Sequence, residues 1–176
     1  MIKKIAFVFL FGIINISYSQ KGIKFPQMQG KTLDKSELQL PEGALGKHTI
    51  LCIIYSQKTE KALESWMKPI VNTFLVKNPL DPEPYDVNMY FVVLLSGIKD
   101  LASDAIEAKF RKNLDKTFHK NVFIYQGSIK EYKEKLDFGK KDEPYFCVID
   151  KDGMIKSSFT GVYNTEKLEM LEEAVK

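Results

Sequence analysis

The chain is poor in the residues that most catalytic sites are built from. It holds two cysteines, two histidines and one tryptophan among 176 residues. Cys52 and Cys147 stand far apart, so there is no Cys-x-x-Cys motif and no cysteine-based metal knuckle. His48 and His119 are isolated, with no serine or cysteine spaced to be activated by either. No glycine-rich phosphate loop and no His/Asp/Glu cluster at metal-ligand spacing occurs. No catalytic residue, metal or cofactor is therefore assigned. Charge of one sign is also scarce. Lys3 and Lys4 supply two of the formal +3, which leaves about +1 and no pull toward nucleic acid or anionic membrane. The apolar run Ile5 to Ile14 is too short to span a bilayer.

That run has another reading. Lys3 and Lys4 precede it, and Ser17-Tyr18-Ser19 offers small residues at both positions a signal peptidase reads. Residues 1–19 are expected to be a signal peptide cleaved before Gln20; an uncleaved anchor is the alternative. Residues 20–176 then form one exported domain, periplasmic or secreted, with no stable membrane span once the leader is removed. The hydrophobic fraction of 44% and the charged fraction of 28% suit a soluble globular domain with a real core.

The stretch that organises the domain is Thr49 to Val76. Thr49-Ile50-Leu51-Cys52-Ile53-Ile54-Tyr55-Ser56 is a continuous apolar run rich in β-branched residues, which reads as a strand covered on both faces. A helix follows, with Ala62, Leu63, Trp66, Met67, Ile70, Val71, Phe74 and Leu75 at three- and four-residue spacing. Pro69 lies inside it and predicts a bend. Before the strand, Met28–Asp34 reads as a short strand or turn around Gly30, and Leu38–Pro41 as an edge strand. After the helix, the proline-rich stretch 78–84 reads as a stiff surface linker. Val87–Ser96 is the next buried strand. A helix capped by Ser103 carries Ile106, Phe110 and Leu114 on one face, with Lys109, Arg111, Lys112 and Lys116 around the rest. That basic cluster reads as a solvated face, with a partner surface as the alternative. Val122–Tyr125 is a short strand and Lys130–Leu136 a short helix. Glu143 to Asp150 holds a strand that begins directly after a proline, Lys151-Asp152-Gly153 is a tight hairpin, Met154–Phe159 the returning edge strand, and Thr165 caps a last helix through Ala174. The order predicts an α/β domain whose central mixed β-sheet has helices on both faces.

This pattern resembles the thioredoxin-like superfamily in its exported, redoxin-style form. The residues that carry the resemblance run from Phe25 to Val175. Gly46-Lys47, the Thr49–Ser56 strand and the Trp66 helix look like the half that holds the redox site. Pro144 through Gly153, followed by Gly161, looks like the half that holds the cis-proline, and the resemblance implies a cis Glu143–Pro144 bond facing the redox site. The family's Cys-x-x-Cys pair is missing. Counting from the strand end puts Thr59 and Ala62 in its place; matching Pro69 to the family's helix proline puts Lys61 and Glu64 there. Neither choice supplies the thiolate that disulfide exchange needs. Ser65-Trp66 with Pro69-Ile70, the Arg111 helix, the Tyr125 strand and the Pro144–Gly153 unit are also similar to the cysteine-free thioredoxin-like assembly factors of the mitochondrial ATP synthase. Those act as chaperones for a membrane subunit rather than as oxidoreductases. The exported-type leader is where this chain departs from them.

Two functions compete. The resemblance implies a non-catalytic protein that binds a peptide or protein partner, in an assembly or chaperone role. Its groove would lie between Ser56, Gln57, Lys58, Thr59 and Lys61 on one wall and Glu143, Pro144 and Tyr145 on the other. The alternative is a thiol–disulfide oxidoreductase using Cys52 and Cys147 as a redox pair, because the family topology sets their strands side by side. Against it, both cysteines sit mid-strand, where a thiol behaves as a small buried hydrophobe.

Overall fold

A strand without a polar face must sit where both faces are covered. In the computed structural model, which describes residues 22–76, 85–97, 100–138 and 142–176, β3 (Thr49–Ile54) is buried at every position. The expected leader, residues 1–19, and the linker 78–84 lie outside the described residues. Around β3 run β1 (Met28–Thr32), β2 (Glu37–Leu40), β4 (Asn88–Leu95), β5 (Val122–Gln126), β6 (Tyr145–Ile149) and β7 (Ile155–Thr160). They form one seven-stranded mixed sheet in the order β2-β1-β5-β4-β3-β6-β7. β3 pairs parallel with β4, and β4 parallel with β5, while β6 pairs antiparallel with both β3 and β7. The edge strands are β2 and β7, as their mixed polar sequences suggest.

The parallel steps from β3 to β4 and from β4 to β5 are made by α1 (Glu60–Ile70) and α2 (Asp100–Asn113). Both steps move in the same direction across the sheet, so two crossovers of one hand place both helices on one face. α4 (Thr165–Ala174) joins them there: Trp66, Ile70 and Phe74, with Leu171, pack on Ile50, Cys52 and Phe146. The other face is covered by α3 (Lys130–Leu136), through Tyr132 and Leu136, and by Phe25 and Phe138. Gly30 in β1 lies so close to β5 that a Cβ there would stand 2.2 Å from the Ile124 carbonyl oxygen. The small residue in that strand is thus required by the approach of its neighbour.

Several local expectations need correction. β3 stops at Ile54, two residues short of its expected end, whereas β6 spans Tyr145–Ile149 and begins directly after Pro144, as expected. α2 begins at Asp100, three residues before the expected cap; Ser103 is buried inside it and its hydroxyl lies 3.5 Å from Gln126 Oε1. The cap of α4 is Asn164 rather than Thr165, because the Asn164 side chain accepts from Lys167 N at 2.8 Å. The helix after β3 is three pieces: a 3-10 turn at Gln57–Thr59, α1, and a π-helical turn at Val71–Leu75 that starts two residues after Pro69. Pro69 offers no N–H to the helix, and the change from α to π turns follows just after it. The hairpin between β6 and β7 is held by Asp150, whose carboxylate accepts from Asp152 N at 3.0 Å and Met154 N at 2.8 Å.

Candidate functional site

β3 and β6 together decide where the two walls of the expected groove meet. Ile53 is paired with Tyr145, so the chain leaves β3 through Tyr55 and Ser56 beside the Glu143–Pro144 segment that enters β6. The turn after β3 closes on itself. Ser56 Oγ accepts from Lys58 N at 3.2 Å, and the Ser56 carbonyl accepts from Thr59 N at 3.1 Å. Two of the N–H groups at this helix start are thereby engaged.

Burial sorts the expected site residues into two groups. Lys58 and Lys61 are exposed, and Ser56 and Glu143 half-buried, so a partner can reach them. Gln57 opens the 3-10 turn. Thr59, Pro144 and Tyr145 are buried, which makes them supports of the site rather than its surface. Of the positions that could replace the lost pair, Thr59 and Ala62 face inward and are buried, whereas Lys61 and Glu64 are exposed.

Beneath the turn lies an aromatic stack that the sequence reading did not single out. Tyr55 stacks on Phe138 with ring centroids 5.3 Å apart, and Phe138 meets Tyr145 at 5.1 Å. Burial pushes both phenols above their ordinary range, with Asp142 adding to the effect at Tyr55, so both stay protonated at neutral pH. The Tyr145 hydroxyl is buried without a hydrogen-bond partner within bonding distance. The available signal was the recurrence of aromatics at Tyr55, Phe138 and Tyr145, but no spacing rule joins residues more than eighty positions apart.

The Pro144 wall differs from the expectation. Among the described residues the cis X–Pro bond is Leu40–Pro41, not Glu143–Pro144. Trans is the lower-energy isomer by about 0.5–1 kcal/mol where packing does not select the other. Here Pro144 runs straight into β6, and its carbonyl accepts from Gly161 N at 3.3 Å. Pro144 has no N–H to offer, and its carbonyl is already used, so an extended peptide finds little backbone to pair with at this residue. Gly161 in turn fixes α1. Its carbonyl accepts from Trp66 Nε1 at 2.8 Å, and Ser65 Oγ accepts from Tyr163 N at 3.1 Å. Gly161 itself holds φ +117°, a conformation that a side chain would strain. Pro144, Gly161 and Trp66 thus form one buried chain of contacts that holds the two walls together.

The cysteines are adjacent in sequence register but cannot meet. Leu51 is paired with Cys147, and Cys52 with Phe146. A one-residue offset across paired strands sends the two side chains to opposite faces. Cys52 belongs to the α1 side of the core and Cys147 to the α3 side, and both are free and fully buried. Burial pushes both thiols far up, away from the thiolate form. The expectation of a redox pair is corrected on this geometry. Neither histidine is near the site's turn in the fold: His119 is buried at the start of β5, with Nε2 3.1 Å from the Leu114 carbonyl, and His48 lies at the opposite end of β3. Among the described residues no group of three His, Cys, Asp or Glu could hold a metal ion, and no helix is long and apolar enough to cross a membrane.

Comparison with known proteins agrees with this architecture. The family model described as ATP10 protein matches residues 13–176. No curated protein is detectably similar in sequence. Among solved structures, StoA from Bacillus subtilis is 17% identical with a TM-score of 0.51, over 86% of this chain and 97% of that one. The exposed lipoprotein thioredoxin Etrx1 from Streptococcus pneumoniae strain TIGR4 is 18% identical with a TM-score of 0.56, over 84% and 99%. BsSco, a member of the Sco family of cytochrome c oxidase assembly proteins, is 14% identical with a TM-score of 0.54, over 86% and 93%. The fold is thioredoxin-like.

Proposed function

The chain belongs to the ATP10 protein family, and on that premise we propose that it is an exported, non-catalytic assembly or chaperone-type protein that binds a peptide or protein partner beside Pro144. One observation carries this reading. Where thioredoxin-like enzymes hold their thiols, this chain presents Thr59 and Ala62 or Lys61 and Glu64, while its only two cysteines are buried on opposite faces of the sheet. The fold is kept and the reactive group is absent, which leaves binding as the use of the site. BsSco offers a precedent for an assembly role on this fold.

Recognition at such a site rests on side chains. Lys58 and Lys61 are exposed on one wall and Glu143 is half-buried on the other, and Tyr55, which leads into the turn, is half-buried. Mixed charge over an aromatic base suits a polar, partly acidic segment of a partner. The leader reading supports export, so the partner would be met outside the cytoplasm. The test is capture from the chain's own compartment with wild type and with Lys58→Ala/Lys61→Ala/Glu143→Ala. Loss of a specific co-purifying protein in the triple variant supports the proposal; an unchanged set of partners sinks it. The same preparation should begin at Gln20 on N-terminal sequencing; a chain that begins at Met1 removes the cleavage, and its recovery from the cytoplasmic fraction removes the export part.

A further inference from the structure

β7 is an outer strand of the sheet, and its register shows which of its backbone groups are left over. Thr160 is paired with Tyr145, and the next residue, Gly161, donates its N–H to the Pro144 carbonyl at 3.3 Å. Facing residues of an antiparallel pair alternate between exchanging backbone hydrogen bonds and not exchanging them. Phe159 and Ser157 therefore turn their N–H and C=O groups toward β6, whereas Thr160 and Ser158 turn theirs away from the sheet. Lys156 is the extra residue where the register shifts. Before it, Ile155 also points outward, and there the chain supplies its own partner. Ile155 N donates to the Ile23 carbonyl and the Ile155 carbonyl accepts from Gly22 N, both at 2.9 Å, while Lys24 bridges Met154 in the antiparallel sense. That pairing stops at Ile155. Among the described residues no backbone group meets Ser158 or Thr160 on the outer side. The opposite edge of the sheet is better protected: β2 is four residues long, begins at exposed Glu37 and is followed by Pro41, which has no N–H. From Ser157 to Thr160, β7 carries neither charge nor proline, and all four residues are half-buried, so a partner can reach them.

We propose that this edge takes up an extended segment of the protein partner as an eighth strand, antiparallel to β7, and that the residues preceding that strand in the partner lie across the Pro144 site, a proposal that rests on the binding role given above. Outward N–H and C=O groups on alternate residues are matched by an extended backbone, not by a helix, whose own groups are bonded internally. The antiparallel sense continues that of Gly22–Phe25 on the start of the same strand. A second copy of the chain fits less well. The open edge runs only from Lys156 to Thr160, well short of the roughly 20–30 residues a side that a stable dimer uses. A partner segment is not confined to the edge. Running antiparallel, its earlier residues leave β7 at Thr160, beside Gly161 and Pro144. Three strand spacings of about 4.8 Å separate the added strand from β3, roughly 14 Å, which four or five extended residues span. Acidic residues at that distance meet exposed Lys58 and Lys61. Phe159, stacked on Phe146 at 5.1 Å and half-buried, favours an apolar residue beside it in the added strand.

The experiment is amide hydrogen exchange by NMR on the full chain. In the free protein the Ser158 and Thr160 amides should exchange about tenfold or more faster than those of Ser157, Phe159 and Gly161. The probe is a synthetic peptide, acetylated and amidated, of two glutamates, a three-residue Gly/Ser spacer and five alternating valines and threonines. At saturation it should protect Ser158 and Thr160. Ser158→Pro removes an N–H that β6 does not use, so it should leave the urea midpoint nearly unchanged and weaken the peptide about tenfold or more. N-methylating the peptide's strand half on the N–H groups that would pair should do the same while leaving the protein untouched. Absence of protection at the two amides, or full binding by the N-methylated peptide, would overturn the proposal. So would protection in the free protein: rising with concentration, it would make a second copy the occupant; independent of concentration, a segment of the chain itself. A peptide without the glutamates should protect the same two amides but bind about tenfold more weakly, and Lys58→Ala/Lys61→Ala should erase that difference without removing the protection. Equal binding of the two peptides to wild type would overturn the crossing of the Pro144 site, which separates failure there from failure of the edge.

Discussion

Replacing Trp66 with phenylalanine tests the link that holds the two walls of the Pro144 site together. The indole is fully buried, donates to the Gly161 carbonyl at 2.8 Å, and packs on Phe146 at 4.4 Å and edge-on to Tyr163 at 5.3 Å. Trp66→Phe keeps an aromatic ring but removes the N–H, which leaves a buried carbonyl without its donor at a cost of about 1–3 kcal/mol. The smaller ring also leaves a cavity. At about 24 cal/mol per Å³, a volume loss of roughly 40 Å³ adds about 1 kcal/mol. The total is about 2–4 kcal/mol. With a urea slope of about 2 kcal/mol/M for a domain of this size, the unfolding midpoint should fall by about 1–2 M. Circular dichroism at 222 nm is the readout, since the substitution removes the only tryptophan. The variant should also lose partner capture at the Pro144 site before it unfolds, because Gly161 N is bonded to the Pro144 carbonyl. A midpoint shift below about 0.3 M, equivalent to roughly 0.6 kcal/mol, would refute the reasoning: the bond would then contribute nothing beyond what water supplies.

Two further outcomes follow from burial. A thiol reagent should find no reactive cysteine in the native protein and two after denaturation, since Cys52 and Cys147 are fully buried; one fast native thiol would contradict the register that separates them. The His48 imidazole is held below its ordinary range by burial and by Lys156 and Lys151. The unfolded chain therefore binds that proton more readily, and stability should rise with pH as the unfolded imidazole loses its proton around pH 6.5. Urea midpoints between pH 5 and 7.5 for wild type and His48→Gln test this, and an identical slope in both would remove His48 as the cause.

The order of strands and helices, the central place of Thr49–Ile54, the Asp152-Gly153 hairpin and the helix Lys130–Leu136 were legible because each rests on contacts within a few residues: an unbroken apolar run, a turn dipeptide, a 3.6-residue period. The absence of a thiol at the helix start was legible for a simpler reason, since an absent residue type needs no fold to establish it. The points that depended on exact backbone geometry or on partners far along the chain were not. Asn164 rather than Thr165 caps α4, and α2 starts ahead of Ser103, because capping is decided by which side chain the backbone geometry lets reach an N–H. Cys52 and Cys147 were expected in neighbouring strands, and they are, but only the pairing of Leu51 with Cys147 sends them to opposite faces. The trans Pro144, the buried Thr59 and the Tyr55–Phe138–Tyr145 stack were likewise settled by what packs around them. The sequence by itself determined an α/β order of elements with no Cys-x-x-Cys pair at the helix start, because periodicity and composition are local properties; the thioredoxin-like character was implied by resemblance. Tertiary structure alone decided which of the remaining residues a partner can touch, because burial and register depend on strands brought together from distant parts of the chain.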